Sequence, residues 1–296
     1  MTCDLCQQAM RAAVCDWTFR CGQCGLWQST MLPAIDAGEH SLSEEDRFRG
    51  LAHIRSTNFD RIFSQLDQLR ANPAPTRLLD VGCAYGWFVE AARARGISAV
   101  GVEPDPRTAS LARRRGIELL EGYFPQCLPA SARFDVIVFN DTLEHIPHVH
   151  AMLAASAAAM PLGGLLVLSV PTSSGTLFRL AAHLARFGWT GPWRRLWQES
   201  FPSPHVYYFN RENLDRALRS HGFSRIAAEG TAVFHPRGLW SRMQFDRRSS
   251  TVMNALLYAG LLTAYPFYRV VAQPDTELLI YRLVGSPAGP GGSATP

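Results

Sequence analysis

Three groupings of residues in this 296-residue chain have the types and spacing that chemistry needs. The first is Cys3-x-x-Cys6, followed after 14 intervening residues by Cys21-x-x-Cys24. Each C-x-x-C turn presents two thiolates, and two such knuckles close a tetrahedral four-sulfur site suited to zinc. Gly22 and Gly25 loosen the turns around the second pair. Four sulfurs leave no open coordination position, so the metal expected on Cys3, Cys6, Cys21 and Cys24 is structural. Redox dithiols are the competing reading, and Cys15 is a poorer ligand because its spacing is isolated.

The second grouping is the stretch LLDVGCAYG, Leu78 to Gly86. An apolar strand carrying Asp80 runs into a turn bearing Gly82 and Gly86, and a helix follows at once. The G-x-x-x-G spacing departs from the G-x-G-x-x-G of nicotinamide sites. Glycines alone read equally well as tight turning. Glu103 adds a second acid at the end of the next strand, about 20 residues on, where a carboxylate can accept both hydroxyls of a ribose. The third grouping is Asn140-Asp141-Thr142-Leu143-Glu144-His145, just past another apolar strand. Histidine is the side-chain type able to change charge near neutrality, which makes His145 the candidate general base. The plainer reading is that Glu144 and His145 fix the loop or cap the next helix.

The elements that must position these residues follow from pattern. Arg77–Gly82, Ser98–Glu103, Ile117–Leu120, Asp135–Asn140 and Leu165–Val170 read as strands, with helices between them. Three junctions, Arg95-Gly96-Ile97, Arg115-Gly116-Ile117 and His221-Gly222-Phe223, read as helices ending on a left-handed glycine and turning into a strand. The strand runs do not alternate, so helices must cover both sheet faces. The expected fold class is therefore α/β: a doubly wound, mostly parallel, seven-stranded Rossmann-like sheet with a small N-terminal zinc ribbon. The chain divides into a ribbon (1–30), a helical linker or cap (31–74), a catalytic domain (75–285) with an insertion at about 172–209, and a disordered tail (286–296). Phe59, Ile62, Phe63, Leu66 and Leu69 give the cap its apolar stripe, and Asn72-Pro73-Ala74-Pro75 ends it. Asn210–Ser220 reads as a capped helix, and Thr276–Leu283 as the final strand.

Composition narrows the chemistry. All 29 basic residues are arginine, which excludes a Schiff-base lysine and a lysine-bearing phosphate loop. The net charge of +4 is mild, and an odd cysteine count without a signal segment favours a reducing, cytoplasmic setting.

LLDVGCAYG and VGVEP together resemble the class I S-adenosylmethionine-dependent methyltransferases. FDVIVFNDTLEHI is similar to the fourth-strand region of their small-molecule members, including those of ubiquinone and sugar biosynthesis. The resemblance implies S-adenosylmethionine as cofactor. Asp80 and Gly82 would hold its methionine end, Glu103 its ribose, and Asn140 would lie near the sulfonium, with Cys83, Ala84, Gly86, Pro104 and Tyr123 as further cofactor-binding candidates. Two departures stand out. Ala84 replaces a further glycine, and Gly122-Tyr123 replaces the Gly-Asp that often meets the adenine, so Tyr123 or Phe124 would stack on the base instead. N-terminal cysteine modules occur in some sugar and natural-product members of this family and in a ribosomal-RNA type.

The expected acceptor is a small molecule, a glycan or a lipid-linked compound, methylated at oxygen or carbon. An RNA acceptor docked by the ribbon is the first alternative, and mild charge argues against nucleic acid. A non-catalytic partner protein keeping the fold is the second. The insertion, with Trp189, Trp193 and Trp197 among Arg186, Arg194 and Arg195, suits either a lid over an acceptor or peripheral contact with a membrane surface. Ser249–Tyr268 is free of charge and long enough to span, but its polar residues and Pro266 favour a buried or interfacial helix.

Overall fold

The computed structural model describes residues 1–35, 44–69, 76–199, 201–231, 240, 254–255, 258–263, 265–266 and 272–285. The linker 72–75, the tail 286–296 and half of Ser249–Tyr268 lie outside these. No helix among the described residues is long and apolar enough to cross a membrane.

The N-terminal strands β1 (Met10–Ala12), β2 (Thr18–Cys21) and β3 (Trp27–Ser29) form an antiparallel meander. The cap helix α1 (Glu44–Leu69) follows, burying Phe59, Ile62, Phe63 and Leu66. Then come β4 (Arg77–Val81), α2 (Trp87–Arg93), β5 (Ser98–Glu103), α3 (Pro106–Arg114), β6 (Leu119–Glu121) and β7 (Val136–Asn140). A 3₁₀ turn (Leu143–His145) leads to α4 (Val149–Ala158), β8 (Leu165–Pro171), α5 (Thr176–Arg186), α6 (Gly191–Leu196) and β9 (Tyr207–Tyr208). The chain closes with α7 (Arg211–Ser220), β10 (Phe223–Thr231) and β11 (Thr276–Leu283).

Seven strands form one sheet in the order β10-β11-β8-β7-β4-β5-β6, and only β11 runs against its neighbours. Strand order reverses at β4, which has β5 on one side and β7 on the other. Ligands of open α/β sheets sit beyond the carboxyl ends of the strands at such a point. Apolar side chains fill both faces: Phe63, Phe88 and Ala92 belong to one core, Phe139, Leu153 and Leu214 to the other. The third parallel strand starts two residues later than the pattern suggested. Gly116 takes φ +78° and the Ile117 amide donates back to Ala112, so Ile117 still closes α3.

The ribbon is interlocked with the insertion. Strand β9 pairs with β3, Trp27 opposite Tyr208 and Gln28 opposite Tyr207, making a four-stranded sheet from segments about 180 residues apart in sequence. Trp193 and Trp197 are fully buried beneath it, their rings 5.3 Å from Trp27 and 6.0 Å from Trp17. Two of the three insertion tryptophans are thus core residues facing neither acceptor nor membrane, and Trp189 alone is exposed. Periodicity could not separate these roles, because α6 is six residues long.

Candidate active site and metal centre

Asp80 is buried near the end of β4, and Glu103 is buried at the end of β5. The Glu103 carboxylate accepts the Ala84 N–H on Oε2 and the Asp105 N–H on Oε1, both at 2.9 Å. Each oxygen keeps a lone pair for a further donor. Asp105 caps α3, accepting from the Arg107 and Thr108 amides, so Glu103 is held from both sides. Burial, then repulsion from Glu103, pushes the Asp80 carboxyl up to about 7. Burial likewise raises Glu103 to about 7 against the pull of its two backbone donors. A cationic ligand, or one donating hydroxyls, would offset both penalties.

The turn between them leaves no room for a side chain at either glycine. Gly82 has φ +75°, and an added Cβ would lie 2.5 Å from Thr142 Cγ2. At Gly86, also φ +75°, it would lie 2.5 Å from Ile117 Cγ2. Both glycines therefore make room for a neighbouring protein side chain at the place a Cβ would take. Gly82 and Cys83 donate their amides to the Val102 carbonyl, pinning the turn to β5. Cys83 is buried, with its sulfur in the space where Gly101 lacks a side chain, so it faces the interior. Ala84 sits at φ +48°, a conformation glycine adopts more readily, consistent with its departure from the resemblance.

Asn140 ends β7, and its buried Oδ1 has no protein partner. A buried acceptor left open beside the β4 and β5 acids is what a bound donor would complete. Pro104 is half-buried between Glu103 and the cap of α3. Tyr123 is exposed beyond β6, while Phe124 is buried edge-on against Phe139 at 5.7 Å, which removes Phe124 as a stacking partner.

His145 follows in the 3₁₀ turn, and Thr142 of the same segment fills the Gly82 notch. His145 Nδ1 lies 2.9 Å from the Pro204 carbonyl, which can only accept, so Nδ1 carries a proton and donates it there. Its ring packs edge-on to His205, with centroids 4.7 Å apart. Glu144 is buried, and its backbone carbonyl accepts the Val206 amide. The ribbon supports this segment, since the Ser29 hydroxyl donates to the His205 carbonyl at 2.8 Å and the Ser29 amide to Val206. The sequence pattern gives Glu144 only as a residue that fixes the loop or caps the next helix and does not bring His205 to it; no spacing signal joins positions 60 residues apart.

In the ribbon, Cys3 Sγ lies 3.5 Å from Cys24 Sγ and Cys6 Sγ 3.4 Å from Cys21 Sγ. All four sulfurs fall within 4.8 Å of one another. Zn–S bonds of about 2.3 Å in a tetrahedron put sulfurs about 3.8 Å apart, so the four residues fit zinc. The Cys24 thiol beside Cys3 lowers its pKa to about 5, giving the thiolate a cation needs. Cys15 is not in the cluster.

A family model of a methyltransferase domain matches residues 47–228, more than half of the chain. A ubiquinone biosynthesis O-methyltransferase of Methylobacterium sp. (strain 4-46) is 30% identical over 186 residues, covering 59% of this chain and 71% of that protein. One of the same description from Cereibacter sphaeroides is 26% identical over 237 residues, covering 74% and 93%. The fold is similar to a crystal structure of a SAM-dependent methyltransferase from Archaeoglobus fulgidus, with TM-score 0.51 and 16% identity over 81% of this chain and 97% of that one. With the strand order, the acid pair and the matched domain, the chain belongs to the S-adenosylmethionine-dependent methyltransferases.

Proposed function

We propose that this enzyme methylates a hydroxyl oxygen of a small-molecule, glycan or lipid-linked acceptor, with His145 as general base. The observation that carries the reading is the His145 Nδ1–H donated to Pro204, which in the neutral ring leaves Nε2 as a proton acceptor in the turn that also touches Gly82. When bound, S-adenosylmethionine supplies an activated methyl carbon: the acceptor oxygen bonds to it as the C–S bond breaks and its electron pair stays on sulfur. Asp80 would hold the ammonium end, Glu103 the ribose hydroxyls and Asn140 Oδ1 a donor near the reacting centre, with Gly82, Cys83, Ala84, Gly86 and Pro104 contributing backbone. Tyr123 would lie on the adenine face. His145 Nε2 would take the hydroxyl proton, a role worth roughly 10²–10⁴ in rate. The oxygen acceptor is supported by the two relatives described as ubiquinone biosynthesis O-methyltransferases.

A lipid-linked acceptor is supported by Leu180 on α5 and by Phe187 and Trp189 at the α5–α6 corner beside Arg186, all exposed. Apolar rings next to a cation suit a membrane surface. Zinc on Cys3, Cys6, Cys21 and Cys24 would be structural, holding the ribbon that buttresses His205.

The test is a panel of phenols and catechols, with and without an isoprenoid tail, assayed for S-adenosylhomocysteine release by wild type and His145→Ala. Turnover falling roughly 10²-fold or more, with cofactor affinity changed less than a few fold, supports the base. Unchanged turnover in the variant rules it out.

A further inference from the structure

We infer that Ser29 and the first cysteine knuckle are positioning elements for His145: the ribbon grips the turn that carries it from both flanks, so the ribbon's fold sets the rate of methyl transfer. The inference deepens the proposed O-methylation and rests on it for the role of His145.

One flank is the segment that leads into β9. Ser29 ends β3 and is 2% exposed. Its hydroxyl donates to the His205 carbonyl and its amide to the Val206 carbonyl, both at 2.8 Å. A few residues on, the Ala34 amide donates to the Pro202 carbonyl at 2.8 Å. The segment so held passes two contacts to the turn. Val206 donates its amide to the Glu144 carbonyl at 2.8 Å, and the Pro204 carbonyl accepts from His145 Nδ1 at 2.9 Å.

The other flank is the start of α4, just past His145. The His148 amide donates to the Tyr207 hydroxyl at 3.2 Å, and that hydroxyl donates to Asp4, which lies between Cys3 and Cys6. His150 Nε2 lies 3.1 Å from the Leu5 carbonyl, which can only accept, so Nε2 carries a proton. In the neutral ring Nδ1 then accepts from His221 Nε2 at 2.9 Å, which ties the end of α7 into the same junction. Apolar packing is continuous across these contacts: Met10 and Leu26 of the ribbon share one buried cluster with Leu143 and Val149, on either side of His145.

The cofactor acids are held by other means. Glu103 is fixed by the Ala84 and Asp105 amides, and the Gly82 and Cys83 amides by the Val102 carbonyl, all from the β4–β5 region. Loosening the ribbon therefore frees the base and leaves the cofactor acids in place. A segment of about 30 residues buries too little apolar surface to hold itself, so metal binding becomes its folding energy. With zinc on the four cysteines as proposed, its removal loosens both flanks at once, whereas losing the Ser29 hydroxyl loosens one. Misplacing a reacting group by about 1 Å costs roughly 10²-fold in rate.

The experiment uses the zinc-loaded full chain with ¹⁵N-labelled histidine. The His145 Nδ1–H signal, assigned by its absence in His145→Ala, is followed by NMR in the loaded protein, after chelation and in Ser29→Ala. Calorimetry with S-adenosylhomocysteine reports on the cofactor side. Chelation is expected to broaden or remove the signal and to lower kcat by roughly 10²-fold, with cofactor affinity changed less than a few fold. Ser29→Ala should lower kcat by roughly 3–10-fold, and Ser29→Thr, which keeps the hydroxyl, should restore it. If Ser29→Ala fails to fold, the chelated wild type decides alone. A signal and kcat that survive chelation overturn the inference. Cofactor affinity lost in step with the signal also overturns it, because the ribbon would then support the whole domain. Unchanged turnover in His145→Ala would remove the base reading, while the ring signal, read without any acceptor, still tests the clamp.

Discussion

Replacing Glu103 by glutamine changes one charge and almost no volume. In the wild type both carboxylate oxygens accept backbone amides at 2.9 Å, from Ala84 and from Asp105. An amide group can accept from only one of them, so its NH₂ must face the other donor. One buried N–H of the cofactor turn or the α3 cap is then orphaned, at about 1–3 kcal/mol. The ribose also loses a charge-assisted acceptor, about 1.5–3 kcal/mol. The orphaned amide costs the free and the bound protein alike, so the lost ribose acceptor sets the change in affinity, about 10–10²-fold. A pH signature accompanies the loss. Asp80 and Glu103 both sit near about 7, above their ordinary values, so the folded apo protein holds more protons than the unfolded chain between about pH 4 and 7. Its stability therefore falls as pH rises through that window, by about 4 kcal/mol from Asp80 alone. Cofactor that needs both carboxylates ionised must bind tighter over the same rise and expel protons. Because Glu103 helps to raise Asp80, Glu103→Gln should also move the midpoint of that dependence down. The assay is calorimetric titration with S-adenosylhomocysteine from pH 5.5 to 8.5 (a range bracketing the values near about 7) in two buffers of different ionisation enthalpy. Affinity within a few fold of wild type, or a midpoint that does not move, refutes the reasoning.

Other outcomes follow from the same contacts. Gly82→Ala adds left-handed strain of about 1–2 kcal/mol to the Thr142 overlap, so the melting temperature should fall by several degrees. Adding Thr142→Ala should recover part of that loss, and full recovery would contradict the φ contribution. Tyr207 donates to Asp4 and accepts the His148 amide, tying the ribbon to α4; Tyr207→Phe should cost about 1–3 kcal/mol in urea unfolding. With zinc on the four cysteines as proposed, its chelation should lower hydrogen-exchange protection at Tyr207 and Tyr208, because β9 pairs with β3; protection that persists would show that the insertion holds without the metal.

The sheet was legible because its strands are buried on both faces and three of the helices between them end on a glycine. Gly96, Gly116 and Gly222 all take positive φ, as the three junctions implied. The buried acid pair was legible because Asp80 and Glu103 sit at or near the ends of adjacent strands, where chain order and space coincide. The cysteine knuckles were legible because each carries its ligands within four residues. What pairs across long separations was hidden. Nothing in a two-residue strand announces that Tyr207 and Tyr208 complete the ribbon sheet, or that His205 packs on His145. The reason for Gly82 was hidden as well, because the side chain that fills its notch, Thr142, comes from the far side of β4.

The most direct test of the central claim is to follow ¹³C-methyl-labelled S-adenosylmethionine in the presence of the enzyme and a small-molecule extract. The label is expected in an O-methyl group of a low-mass hydroxyl compound, and the signal should vanish in Glu103→Gln. Label appearing in RNA or protein, or no transfer by folded enzyme that binds the cofactor, would contradict it.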